Sequence, residues 1–345
     1  MKKPAASKGK TSKSTTKAAT LDNVEINRFL ALKHPDPHRI LGPHLVDGKI
    51  VIRVFRPDAE KVELILLKKE APPFEKIDAA GLFEIQLSGT RIPSYRLKVN
   101  YPASQTFTLR DPYSFPSTVG ELDLHLFAEG RHEEIYEKLG SHVRKIGRIT
   151  GVSFAVWAPQ ADSVSVVGDF NGWDGRLHQM RNLYGSGVWE IFIPDLGPGA
   201  LYKYEIRSRG WLPFLKTDPY AQYTEAPPGT SSIVYDSSFK FRDSKWIKAR
   251  ATREHYRSPL SIYELHLGSW RRVREENNRP FGYRELAEPL ATYVLEMGFT
   301  HVEFLPLKEH PYGPSWGYQV SNYFAPSARY GEPDDLRYLI DYLHR

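Results

Sequence analysis

Two glutamates of this 345-residue chain fall in runs that read as strands. Glu264 lies within Ser261-Ile-Tyr-Glu-Leu-His-Leu267, and Glu303 within His301-Val-Glu-Phe-Leu-Pro-Leu307. Two carboxyl groups about 5–5.5 Å apart can divide a retaining glycosyl transfer between a nucleophile and an acid/base. Each also has a plainer role. His266 is two residues beyond Glu264, on the same strand face, so a buried Glu264–His266 hydrogen bond is expected. Glu303 suits a solvated or ion-paired position. Tyr318 stands apart, because it lies in a long loop, residues 308–332, and loops of that length are usually functional. Trp316 and Gln319 flank it. Tyr and Trp rings offer an apolar face with a polar edge, a shape that suits sugars as well as loop packing.

The elements that must position these residues are a strand at 261–267, a helix at 283–297 stopped by Gly298, a strand at 301–307 and a helix at 333–345. Two β-α units in the same order imply parallel strands with helical crossovers. Two strands cannot bury both faces of a parallel sheet, so residues 258–345 read as the incomplete start of an α/β (TIM-type) barrel. In such a barrel the loop holding Tyr318 leaves from the side where active sites form. Asp334 and Asp335 fall in the first turn of the last helix, as caps and dipole partners.

Upstream lies an internal repeat. Ile52-Arg-Val-Phe-Arg-Pro57 matches Phe154-Ala-Val-Trp-Ala-Pro159, and Tyr95-Arg-Leu-Lys-Val99 matches Tyr202-Lys-Tyr-Glu-Ile206. Each unit then reaches Asp-Pro-Tyr, at Asp111 and at Asp218. An offset of about a hundred residues makes these two domains rather than solenoid units. Short alternating strands between turn clusters predict antiparallel β-sandwiches. The expected order is a leader (1–20), a first sandwich (21–145), a second (146–240), a polar basic linker (241–257) and the barrel start. Residues 121–139 read as a helix between the sandwiches, with Leu122, Leu126, Ile135 and Leu139 as its buried positions.

Composition narrows the function classes. The chain carries net charge +6, but residues 1–19 hold six of its 47 basic residues and no acid. The remaining 41 balance the 41 acidic ones, so the charge belongs to a leader and no nucleic-acid-binding face is expected. That leader has no apolar core for a secretory signal and reads as a disordered tail. No stretch reaches membrane-span length, and a cytoplasmic location is the expectation. Absence of Cys excludes disulfides, thiolate metal sites and Cys nucleophiles. His34, His38 and His44 match no zinc spacing and read as a loop network. No phosphate loop is seen, and no cofactor or metal is implied.

Tyr263-Glu-Leu-His-Leu-Gly-Ser-Trp270, Phe304-Leu-Pro-Leu307, Ser315-Trp-Gly-Tyr-Gln319, Tyr323-Phe-Ala-Pro326 and Arg329-Tyr-Gly-Glu-Pro-Asp-Asp-Leu336 closely resemble the start of the catalytic barrel of glycogen (1,4-α-glucan) branching enzymes, in the α-amylase superfamily. Val167-Gly-Asp-Phe-Asn-Gly-Trp-Asp174 resembles the starch- and glycogen-associated sandwich before many such barrels. His34-Pro-Asp-Pro-His38 and Leu41-Gly-Pro-His44 resemble the extra amino-terminal module of bacterial branching enzymes. The resemblance implies an α-glucan partner, a monomer when complete, and a sugar-stacking tyrosine at Tyr318. It implies cleavage of α-1,4 and formation of α-1,6 linkages by a retaining double displacement. The family's nucleophile, acid/base and late His-Asp motifs are absent from this sequence, so no catalytic residue is assigned and the chain is expected to be inactive alone. Likeness of the second sandwich to glycogen-binding modules of kinase regulatory subunits puts a secondary glycan site at Trp173, Lys203 and Trp211; the Asn of those modules is replaced near Ser231-Ser232. A debranching or trehalose-releasing relative, and a glycan-binding protein without catalysis, are the alternatives.

Overall fold

The computed structural model describes residues 22–66, 70–208, 210, 212–254 and 256–345. The expected leader (1–20) and Trp211 lie outside the described residues. The chain forms two compact units, one of residues 22–28 and 39–109, the other of 29–38 and 110–345.

In the first unit two four-stranded antiparallel sheets face each other. One contains the paired strands Lys49–Phe55 and Leu82–Ser88; the other contains Lys61–Leu66 and Tyr95–Tyr101. Alternation puts Ile50, Ile52 and Val54 on the inner face of one sheet against Val62, Leu64, Leu97 and Val99 of the other. The second unit repeats the pairings. Ile149–Trp157 pairs with Val188–Pro194, and Ser163–Gly168 with Leu201–Arg207. Its interior is more aromatic, with Phe154, Trp189, Tyr202 and Tyr204 all buried.

The repeat extends to single hydrogen bonds. Arg56 N donates to Gly81 O at 2.9 Å, and Ala158 N to Gly187 O at 2.8 Å, each bond closing the corner beside the repeated Pro. Both glycines have positive φ, +106° and +79°, and an added Cβ would lie 2.8 Å from Pro57 Cα or 2.7 Å from Pro159 Cα. The Asp-Pro-Tyr motifs form the same Asx turn: Tyr113 N donates to Asp111 Oδ1 at 3.0 Å and Tyr220 N to Asp218 Oδ1 at 2.8 Å.

Beyond the second sandwich, strand Ile262–Leu265 leads through helix Tyr283–Glu296 to strand His301–Phe304 and helix Pro333–His344. The two strands pair in parallel, Ile262 opposite His301 and Leu265 opposite Phe304. Tyr263, Leu265, Val302 and Phe304 pack into one cluster with Leu286, Leu290 and Leu339 of the helices. Alternation turns Ile262, Glu264, His301 and Glu303 to the other face, which is open.

One expectation is corrected. The helix predicted over 121–139 covers only Glu121–Ala128, because the chain breaks at Gly130 with φ +68°, and a 3-10 turn at Ile135–Glu137 follows. Leu124 and Leu139 are buried there, whereas Leu122 is 68% exposed. The linker over 241–257 contains a helix, Ser244–Thr252. Its Trp246 ring stacks on His344 at 3.6 Å, while His344 Nδ1 pairs with Asp243 at 2.8 Å and Arg242 N donates to Asp341 Oδ1 at 2.5 Å. Its polar sequence hid a helix held by aromatic and charged contacts rather than by an apolar stripe.

Candidate functional site

The segment after strand His301–Phe304 is an excursion closed at its base. Strand Lys308–Glu309 pairs antiparallel with Asn322–Pro326, so residues 310–321 leave and return at one place. Glu309 fastens that place. Its buried carboxylate accepts from Arg329 Nη1 at 2.7 Å, Ala328 N at 2.7 Å and His310 N at 2.9 Å. Its carbonyl accepts from Ser321 N at 2.9 Å, across the neck of the loop. Arg329 Nη1 also reaches His310 O at 2.8 Å. A carboxylate so buried is tolerated because cation and backbone donors both meet it.

Within the excursion, Ser315 Oγ donates to Tyr312 O at 2.7 Å, and Trp316 N and Tyr318 N donate to Gly313 O and Ser315 O. Trp316 adopts φ +54° and Gly317 φ +85°. A Cβ on Gly317 would lie 2.5 Å from Pro306 O, so only glycine lets the loop fold back over the end of the second strand. This turn lays the Trp316 indole on the His266 ring, with centroids 5.0 Å apart and planes 17° apart. His266 follows the first strand and pairs through Nδ1 with Ser269 Oγ at 2.9 Å. Burial, then the neighbouring His310 charge, push its pKa down, which favours a neutral ring.

Tyr318 and Trp316 are 68% and 51% exposed, and Gln319 is exposed beside them. The structure thus brings the three sequence-predicted residues together in one turn near the carboxyl ends of both parallel strands. Among the described residues no hydrogen bond or ring contact engages the Tyr318 side chain.

The expected Glu264–His266 hydrogen bond does not form. Glu264 is exposed, directly opposite Glu303 in the parallel register, and the imidazole turns to Ser269 instead. Asp335 is a cap, its Oδ2 accepting from Glu332 N at 3.0 Å. Asp334 accepts from Ser237 Oγ at 2.6 Å and Arg337 Nη1 at 2.7 Å. Burial alone would raise its pKa, but those bonds hold it below the ordinary range.

Two residues of the expected secondary site, Trp173 and Lys203, are among those described. Trp173 sits in a turn with φ +62° and donates its indole N–H to Asp169 Oδ1 at 2.8 Å. Lys203 Nζ instead donates to Thr230 Oγ1 at 2.6 Å. It lines a pocket of about 240 Å³ with Thr224, Glu225, His310 and Asn322, and Trp173 is not in that lining. Ser231 and Ser232 are buried; Ser232 Oγ bonds Thr217 Oγ1 at 2.9 Å and Asp218 N at 3.0 Å. Of the three histidines, His34 Nδ1 accepts from Asp36 N, His38 packs edge-on against Tyr113, and His44 Nε2 meets Leu41 O. Among the described residues no group of three His, Cys, Asp or Glu could hold a metal, and no helix is long and apolar enough to cross a membrane.

Sequence reasoning missed Glu309, His310 and Arg329. A lone Glu-His pair in a loop carries no periodic signal, and Arg329 is twenty residues from its partner.

Comparison with known proteins finds two family models and several full-length relatives that match this chain. The family "alpha-1,4-glucan branching enzyme GlgB, N-terminal domain" matches residues 22–113, and "Carbohydrate-binding module 48 (Isoamylase N-terminal domain)" matches residues 138–221. The "1,4-alpha-glucan branching enzyme GlgB" of Myxococcus xanthus is 50% identical over 327 residues, which are 94% of this chain and 44% of that protein. The protein of the same description from Paramagnetospirillum magneticum is 51% identical over 315 residues, covering 91% of this chain and 42% of its own length. The chain therefore spans less than half the length of these relatives. In sequence and domain content it is similar to the amino-terminal part of proteins described as 1,4-alpha-glucan branching enzymes.

Proposed function

We propose that this chain supplies the glucan-binding sandwiches and the opening β-α-β-α of the catalytic barrel of a cytoplasmic, monomeric 1,4-alpha-glucan branching enzyme. In this reading the enzyme cleaves an α-1,4 linkage, holds the fragment covalently, and transfers it to a 6-hydroxyl by a retaining double displacement. The open face of the parallel pair, with Glu264 and Glu303, is where the rest of a barrel would close. Each glutamate is the third of four residues in its strand, and neither is assigned as nucleophile or acid/base. Tyr318 stacks on a glucosyl ring, Trp316 on its His266 support walls the subsite, and the Gln319 amide meets sugar hydroxyls. The observation that carries the reading is the half-identical match over nearly the whole chain, joined to a loop built to expose Tyr318.

A chimera tests it, with residues 1–345 joined to the remaining carboxy-terminal part of the Myxococcus xanthus relative. It should lower iodine–amylose absorbance and create α-1,6 linkages seen by proton NMR, while residues 1–345 alone create none. A folded chimera without transfer would overturn the proposal. A glycan-binding protein without chemistry is the second reading, favoured by the carbohydrate-binding module at 138–221. That outcome would combine binding of maltoheptaose with an inactive chimera.

A further inference from the structure

A second aromatic site lies beside the neck of the Tyr318 loop, and none of its lining residues belongs to the excursion 310–321. Tyr136, Tyr220 and Phe324 come from three separate segments and meet around a pocket of about 330 Å³. The Tyr220 and Phe324 rings stack with centroids 4.9 Å apart and planes at 17°. Tyr136 and Phe324 stack more loosely, at 6.4 Å and 28°. Though paired, the rings of Tyr136 and Phe324 remain 44% and 48% exposed. Gln222 and Arg337 add polar groups, and Leu336 an apolar wall. Arg337 gives Nη1 to Asp334, which leaves further N–H donors on the guanidinium.

Each ring is fixed by a buried neighbour. Tyr136 rides on a 3-10 turn whose Ile135 packs into an apolar cluster with Leu124 and Leu139. Tyr220 closes the Asx turn on buried Asp218. Phe324 lies between buried Asn322 and Ala325, and Asn322 Nδ2 donates to Asp218 O at 3.0 Å. The platform is therefore formed before any ligand arrives, which lowers the entropy lost on binding.

We infer that this Tyr136–Phe324–Tyr220 pocket is a second binding site for α-1,4-glucan, separate from the subsite at Tyr318. A glucosyl unit has a C–H face that covers an aromatic ring and a rim of hydroxyls that needs donors and acceptors. The lining combines two tyrosines and a phenylalanine with the Gln222 amide and the Arg337 guanidinium. An apolar peptide or a lipid chain would leave those polar groups unpaired. This inference rests on the reading of the chain as one that binds α-glucan.

The test is calorimetric titration of maltoheptaose into the whole 345-residue chain, with Tyr136→Ala, Phe324→Ala and Tyr318→Ala compared. Circular dichroism reports folding, sedimentation velocity reports self-association, and hydrogen exchange reports the protected segments. Tyr136→Ala and Phe324→Ala should each weaken binding at this site roughly tenfold, about 1.4 kcal/mol. Maltoheptaose should slow exchange at residues 135–137 and 322–325 in the wild type and in Tyr318→Ala, but not in Tyr136→Ala. If Phe324→Ala does not fold, Tyr136→Ala decides, because that ring is only loosely stacked. Affinity and protection that respond to Tyr318→Ala alone would overturn the second site and leave the glucan reading intact. Absence of any maltoheptaose binding would overturn both. A self-association that Phe324→Ala abolishes, with no sugar effect, would make the pocket a contact between copies and overturn the proposal.

Discussion

Replacing Asp218 with Asn should change how stability depends on pH. Asp218 is fully buried at the turn after the second sandwich. Its carboxylate accepts from Tyr202 OH at 2.6 Å, Tyr204 OH at 3.1 Å and Tyr220 N at 2.8 Å. Burial outweighs those three donors and raises its pKa from 3.8 to about 6. The folded state then binds the proton more tightly than the unfolded chain. The contribution of that proton to stability is complete below about pH 4 and is lost as pH rises through about 6. At 1.36 kcal/mol per pKa unit the loss is about 3 kcal/mol. Asn cannot titrate, so the wild-type-minus-variant difference in unfolding free energy should fall by about 2.5 kcal/mol between pH 4 and 7.5. Other carboxylates with depressed pKa, such as Asp174 and Glu225, act in the opposite sense but cancel in the difference. Urea titrations followed by Trp189 fluorescence measure it, since that ring is buried in the same sandwich. A difference that stays flat across this range would refute the reasoning, because the carboxyl would then ionise in the fold as readily as in water.

Four further outcomes are expected. In the active chimera, Tyr318→Ala should cut glucan transfer at least tenfold while leaving Tm within a degree or two; normal kinetics with a lowered Tm would mean that the ring only packs its loop. Glu309→Ala should cost about 3 kcal/mol in chemical denaturation, since it leaves the Arg329 guanidinium without its carboxylate at the neck of that loop. Gly317→Ala should cost about 1–3 kcal/mol and weaken Trp316 stacking, read by Trp fluorescence, because its Cβ meets Pro306 O. Trp246→Ala should speed hydrogen exchange in helix Pro333–His344 far more than in either sandwich, through loss of the His344 stack.

What the sequence made legible follows from periodicity. The alternation in Ile50-Val-Ile-Arg-Val-Phe55 and the repeated Asp-Pro-Tyr led to two sheets and two identical turns. The parallel order of strands at Glu264 and Glu303 followed from the helix between them. The exposure of Tyr318 was legible because it falls in a long loop. Contacts between distant polar residues left no such trace. Glu309 meets Arg329 across a neck, and Tyr136 meets Phe324 across more than half the chain. Helix Ser244–Thr252 was hidden for a related reason, as its single Trp leans on a histidine a hundred positions away.

The duplicated corners at Gly81 and Gly187 carry a folding hazard. Tandem modules with the same strand pairings and the same turns can exchange strands while folding, a characteristic failure of repeated domains. Their interiors oppose it. The matched motifs set Leu97 of the first module against Tyr204 of the second, both buried on equivalent strands. A misplaced strand would force a phenol into a space shaped for leucine, at a cost of about 1–3 kcal/mol. Its hydroxyl would also lose the Asp218 acceptor, and an unpaired buried polar group costs about 1–3 kcal/mol more. The aromatic core of the second sandwich thus acts as a key against mispairing with its neighbour, and a Leu97→Tyr, Tyr204→Leu double exchange would remove the distinction on which it depends.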